Sequence, residues 1–127
     1  MSNDKKPAVG TVGWFDLTVE NADGVRDFYQ AVVGWDYEPV NMGDYNDYSM
    51  IPAGAKDPVS GVCHKRGGNA DLPSQWLMYI IVGDIDQSIE ACREMGGEVL
   101  AGPKTMGDAR YCIIKDPAGA VCALYQP

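Results

Sequence analysis

The sequence predicts an α+β fold: two tandem βαβββ modules forming a cup-shaped mixed sheet with the helices outside. Three observations lead there. Two helix stops, "VVGW" and "MGGE", set Gly34 and Gly97 63 positions apart. The same offset then pairs Val19 with Val82, Asp23 with Asp86, Tyr48 with Tyr111 and Ile51 with Ile114. Within each copy the apolar period also changes in one order, from alternation to helical spacing and back to short alternating runs.

In the first copy, residues 12 to 20 alternate as a strand, with Phe15, Leu17 and Val19 on one face and Trp14 and Asp16 on the other. Asn21 or Asp23 can accept the free N–H groups that open a helix. Val25, Phe28, Tyr29 and Val32 recur at i, i+3, i+4 and i+7 and make one apolar helical face. Gly34 can take the left-handed conformation that ends it. Residues 35 to 40, "YNDYSMI" and "PVSGVC" supply three short strands.

In the second copy "WLMYIIV" is the strand, Asp84 or Asp86 starts the helix, and residues 86 to 96 form it. Ser88, Ala91, Cys92 and Met95 are its matching face. "EVLAG", "RYCII" and "AVCALY" are the remaining strands, and "GPKTMGDAR" reads as a polar loop at the rim of the cup. The polar start "MSNDKKP" predicts a flexible tail over 1–10, followed by a single domain over 11–127. Module one covers 11–63, "HKRGGNADLPSQ" has linker composition with the linker over 64–74, and module two covers 75–127.

Composition narrows the function. Ten basic against eighteen acidic residues leave a formal charge of -8, which repels phosphate backbones and anionic lipid surfaces. Neither nucleic acid nor a membrane is an expected partner. The chain has no apolar run of the roughly 18 residues a membrane span needs, and no charged-then-apolar leader, so a cytoplasmic protein is expected. Cys63, Cys92, Cys112 and Cys122 form no CxxC pair and lie in or beside apolar segments, which favours buried free thiols over disulfides or zinc.

With its paired βαβββ pattern, "FYQAVVGW" at 28 to 35, "VGDID" at 82 to 86 and "DPAG" at 116 to 119, the chain resembles the vicinal oxygen chelate superfamily of glyoxalase I, bleomycin-resistance proteins and extradiol dioxygenases. The resemblance runs from residue 11 to 126. It implies four metal-ligand positions, one early in each module's first strand and one late in each final strand. Motif matching assigns three of these to Trp14, Leu77 and Ala123, and the repeat offset assigns the fourth to Ser60. None is His, Glu or Asp, and an indole, an isobutyl group and a methyl group cannot coordinate a divalent cation. No metal and no cofactor are therefore expected. The only histidine, His64, opens the linker and reads as a solvated side chain.

One helix covers one sheet face, so two modules would leave a concave face as the ligand site. Alternation gives that face Trp14, Asp16, Leu77, Tyr79, Ala123 and Tyr125, and the family orientation of the third strands adds Tyr48 and Tyr111. This lining suits a small aromatic or cationic molecule, with Trp14 as a stacking wall. Arg110 or a tyrosine hydroxyl could satisfy Asp16. A collapsed core in place of a pocket is the competing possibility. The alternative function is a lyase, isomerase or dioxygenase with a displaced metal site, or with Asp16 as general base. Homodimers are common in the resembling family, so self-association is a further expectation.

Overall fold

A computed structural model of the chain describes residues 7–127. It divides into two compact units, one of Phe15–Trp76, the other of Leu77–Pro127 with the described residues up to Trp14. Residues 1–6 of the expected tail lie outside the described residues. Within the described part of that tail, Gly10 N–H donates to the carbonyl of Ile81 at 2.8 Å, and Ile81 N–H donates to Thr11 at 2.8 Å.

In chain order the first βαβββ set is β1 (Val12–Val19), α1 (Ala22–Val33), β2 (Asp36–Asn41), β3 (Asn46–Ile51) and β4 (Ser60–His64). Its strands lie in the order β2-β3-β4-β1. β1 runs parallel to β4 with Asp16 beside Gly61, while β3 is antiparallel to both its neighbours. Asn21 caps α1, its side chain accepting Gly24 N–H at 3.0 Å, and Gly34 at φ 83° ends it. Fully buried Ala22 seats the first turn of α1 against Tyr48, Met50 and Val62, with Val25, Tyr29, Trp35 and Trp76 around them.

The second set is β5 (Trp76–Ile81), α2 (Ile85–Glu94), β6 (Glu98–Met106), β7 (Ala109–Lys115) and β8 (Val121–Gln126), with strand order β5-β8-β7-β6. β5 runs parallel to β8 and the other pairs are antiparallel. Asp84 caps α2 by accepting Gln87 N–H at 3.2 Å, and Gln126 Oε1 accepts Ile85 N–H at 2.8 Å. Ile85 and Ile89 pack on Cys112 and Leu124, with Ile80, Val82, Val99 and Ile114 beside them. The α+β class and the two βαβββ sets agree with the sequence pattern.

Several details differ. The 63-residue offset holds from the first strands to the helix caps Asn21 and Asp84, then drifts. Gly61 lies beside Asp16 as Ala123 lies beside Tyr79, an offset of 62, and Ser49 pairs with Gly61 as Ile113 pairs with Ala123, an offset of 64. Helix and hairpin lengths differ between copies, and an ungapped comparison cannot follow them. The left-handed glycine ending α2 is Gly96, φ 92°, not Gly97. A Cβ at Gly97 would stand 2.6 Å from Cys92 Sγ and 3.0 Å from the carbonyl oxygens of Cys92 and Lys115. The polar stretch 102–110 is mostly strand, with β6 and β7 joined by a tight turn at Gly107, φ 62°.

The helix faces also shift. Val25 and Tyr29 pack as expected, but Phe28 and Val32 stay exposed. On α2 the buried anchors are Ile85 and Ile89, and Met95 is 77% exposed. Met50→Ala should therefore cost about 2–5 kcal/mol in urea unfolding, whereas Val32→Ala should stay within about 0.5 kcal/mol. Equal costs would contradict this packing.

Candidate functional site

Because Ile80, Val82, Cys112, Ile114 and Leu124 face α2, alternation turns their neighbours in β5, β7 and β8 to the helix-free face. Two cross-strand rows result: Tyr79, Ala123 and Ile113, then Ile81, Tyr125 and Tyr111. The rings of Tyr79 and Tyr111 lie with centroids 6.4 Å apart at 44°. Ala123, on the strand between theirs, projects only a methyl group, so the rings can approach across it. Cys122 pairs with Ile114 and so faces α2.

Leu77 and Ala123, at two of the implied metal positions, are 1% and 0% exposed. Trp14 is half-buried and, two residues from Asp16 in β1, shares its face. The fourth position needs correction: Ser60 pairs with Met50 and shares the α1 face with Val62, so Gly61 beside Asp16 is the true counterpart of Ala123. Trp14, Gly61, Leu77 and Ala123 together offer no side-chain donor to a metal. Among the described residues no group of three or more His, Cys, Asp and Glu could hold one. The family's metal therefore does not fit this set of side chains.

The helix-free face of the first sheet is polar. Asp16, Thr18, Ser49, Gly61 and Cys63 share it by register. Burial, reinforced by the charges of Asp16 and Asp47, pushes the Cys63 thiol far up. Buried Asp47 also accepts His64 N–H at 2.9 Å. Arg110 does not reach Asp16; it forms a two-pronged pair with Asp86 at 2.9 and 3.0 Å.

Tyr48 is a second correction. It packs under α1 beside Met50 and Val62, because the offset across the third strands is 64 and the counterpart of Tyr111 is Asp47. Its hydroxyl donates to Asp23, and that bond together with burial raises its pKa above the usual phenol value. The Arg26 guanidinium lies 4.4 Å over the Tyr37 ring and 4.6 Å over the Tyr48 ring. His64 is mostly buried, its Nε2 3.8 Å from Asp23 and its Nδ1 3.5 Å from Asp47, with Tyr45 edge-on at 5.5 Å. Asp23, Arg26, Asp47, Tyr48 and His64 thus tie α1 to β3 and β4. Sequence reasoning missed this cluster, since its members lie up to 41 positions apart and no local spacing marks them.

Residues 11–124 match the family model of the glyoxalase/bleomycin resistance protein/dioxygenase superfamily. The mycobacterial protein CFP32 of Mycobacterium tuberculosis, whose name assigns it to the glyoxylases, is 32% identical over 120 residues, covering 92% of this chain and 46% of its own. The anthracycline biosynthesis protein DnrV of Streptomyces peucetius is 28% identical over 131 residues, covering 94% and 48%. The chain thus spans about half the length of these relatives. Among solved structures, a superfamily member from Vibrio splendidus 12B01 superposes with TM-score 0.60 at 13% identity, covering 89% of this chain and 96% of its own. Methylmalonyl-CoA epimerase from Mycobacterium tuberculosis gives 0.57 at 15%, covering 98% and 93%. Both show the likeness of fold.

The buried thiols make stability depend on alkaline pH. Burial also pushes Cys112 from the ordinary 9.0 up to about 11. Unfolding returns such thiols to the ordinary value, so stability is fully present below pH 9.0 and declines as pH rises toward about 11. Denaturant midpoints measured across that window should fall, and the fall should flatten in Cys63→Ala. In the native state at pH 8, Cys63 should alkylate far more slowly than in the unfolded chain; equal rates would contradict its burial.

Proposed function

Because the chain belongs to the glyoxalase/bleomycin resistance protein/dioxygenase superfamily, we propose that it binds a small organic molecule, aromatic or cationic, without a metal. The ligand rests against Tyr79, Tyr111 and Tyr125 on the helix-free face of β5, β7 and β8. The observation that carries this reading is the Tyr79–Tyr111 ring pair, near Leu77 and Ala123, the positions that the family resemblance assigns to metal ligands. Tyrosine rings hold a flat π-system or a cation on their faces, and their hydroxyls can orient a polar substituent. The DnrV name places that relative in anthracycline biosynthesis, so fused planar aromatics are the first compounds to screen.

A catalytic reading rests on Asp16, a half-buried carboxylate on a helix-free face beside the row of Cys63. A half-buried carboxylate can act as a general base toward a substrate lying on that face. Asp16→Asn should abolish turnover of a substrate while sparing its binding if this reading holds.

Calorimetry with planar aromatic probes should detect binding that Tyr79→Ala and Tyr111→Ala each weaken by about tenfold, or about 1.4 kcal/mol. Chelators, and added manganese, nickel, zinc or iron(II), should leave thermal unfolding unchanged. Near one tightly held metal per chain with a matching stabilisation would overturn the proposal.

A further inference from the structure

The tyrosine row of the second sheet does not end at Tyr111. Lys104 of β6 stands directly opposite Tyr111, and cross-strand partners project to the same face of a sheet. The row therefore runs Ile81, Tyr125, Tyr111, Lys104 from β5 to β6. Because β6 is the outermost strand, Lys104 is placed at the rim of the aromatic face. From Gly102 to Met106 every residue is exposed except Lys104, which is half-buried. Such a lysine keeps its aliphatic stem against the protein and its ammonium toward water.

The neighbouring charges are matched differently. Arg110 is held on the helix side by Asp86 at 2.9 and 3.0 Å, and Lys115 stands opposite Glu98. Asp116 Oδ1 accepts the N–H groups of Ala118 and Ala120. Of the lysines and arginines in β6 and β7, Lys104 alone has an aromatic residue across from it.

We propose that Lys104 sets the ligand class: a planar aromatic carrying an anionic oxygen group, its rings on Tyr79 and Tyr111 and its oxygen accepting from the Lys104 ammonium. This rests on the reading that the tyrosine face holds the ligand, and it selects the aromatic over the cation. An ammonium beside the rings repels a second cation and forms a charge-assisted hydrogen bond with an anion. The formal charge of -8 is spread over the whole chain, and salt screens charges beyond about 8 Å at physiological ionic strength. The nearby cation therefore governs the choice.

Calorimetry with three anthraquinones that differ in one ring substituent, a carboxylate, a carboxamide or an aminomethyl group, tests this. The wild type should bind the carboxylate about tenfold tighter than the carboxamide, and the aminomethyl compound weakest. Lys104→Gln should erase this order while binding the carboxamide as the wild type does, and Lys104→Arg should restore it. Arg93→Gln, an equal loss of charge in the last turn of α2, should keep it. Equal affinities in the wild type, or an order that survives Lys104→Gln, would overturn the inference and leave the tyrosine face as the site. No binding of any of the three, or binding indifferent to Tyr79→Ala, would overturn the site itself and this inference with it.

Discussion

A sheet of four strands has two faces, and each unit has one helix to cover them. That shortfall leaves each sheet one face with no helix of its own unit upon it. Ala22 and Ile85, the first residues of α1 and α2, are both fully buried, and each seats its helix on one face of its own sheet. In the second unit the other face is buried as well, with Leu77, Ile113 and Ala123 at most 1% exposed. The opposite face is released from packing against a helix, and its composition can diverge.

It has diverged sharply. The first sheet turns Asp16, Thr18, Ser49 and Cys63 away from α1, whereas the second turns Tyr79, Tyr111 and Tyr125 away from α2. One face can hold a carboxylate beside a desolvated thiol, and the other offers aromatic rings. The cluster joining Asp23, Arg26, Tyr48 and His64 belongs to the helix side, where it adds hydrogen bonds and ring contacts to the anchoring of α1.

The periodicities that define the eight strands and two helices were legible, because alternation and helical spacing are local properties. The caps Asn21 and Asp84 were legible for the same reason. On the second sheet, alternation along β5 and β8 placed Leu77, Tyr79, Ala123 and Tyr125, while Tyr111 on β7 followed only from the resemblance. Tyr48 and Ser60 were misplaced because a repeat offset is not a local property: one residue gained or lost in a hairpin turns a side chain to the other face. His64 was misread because its partners Asp23 and Asp47 reach it only through the pairing of β3 with β4 and the position of α1 above them.

Gly96 and Gly97 close α2 for unrelated reasons, and this makes the segment unusually intolerant of sequence drift. Residue 96 is constrained by torsion, so asparagine, which tolerates the left-handed region, is the natural substitute. Position 97 is constrained by volume: even a methyl group meets a thiol and two backbone carbonyls. Asparagine offers no relief there. The doublet looks like ordinary loop composition, yet its two members would accept different replacements, one a short list and the other none.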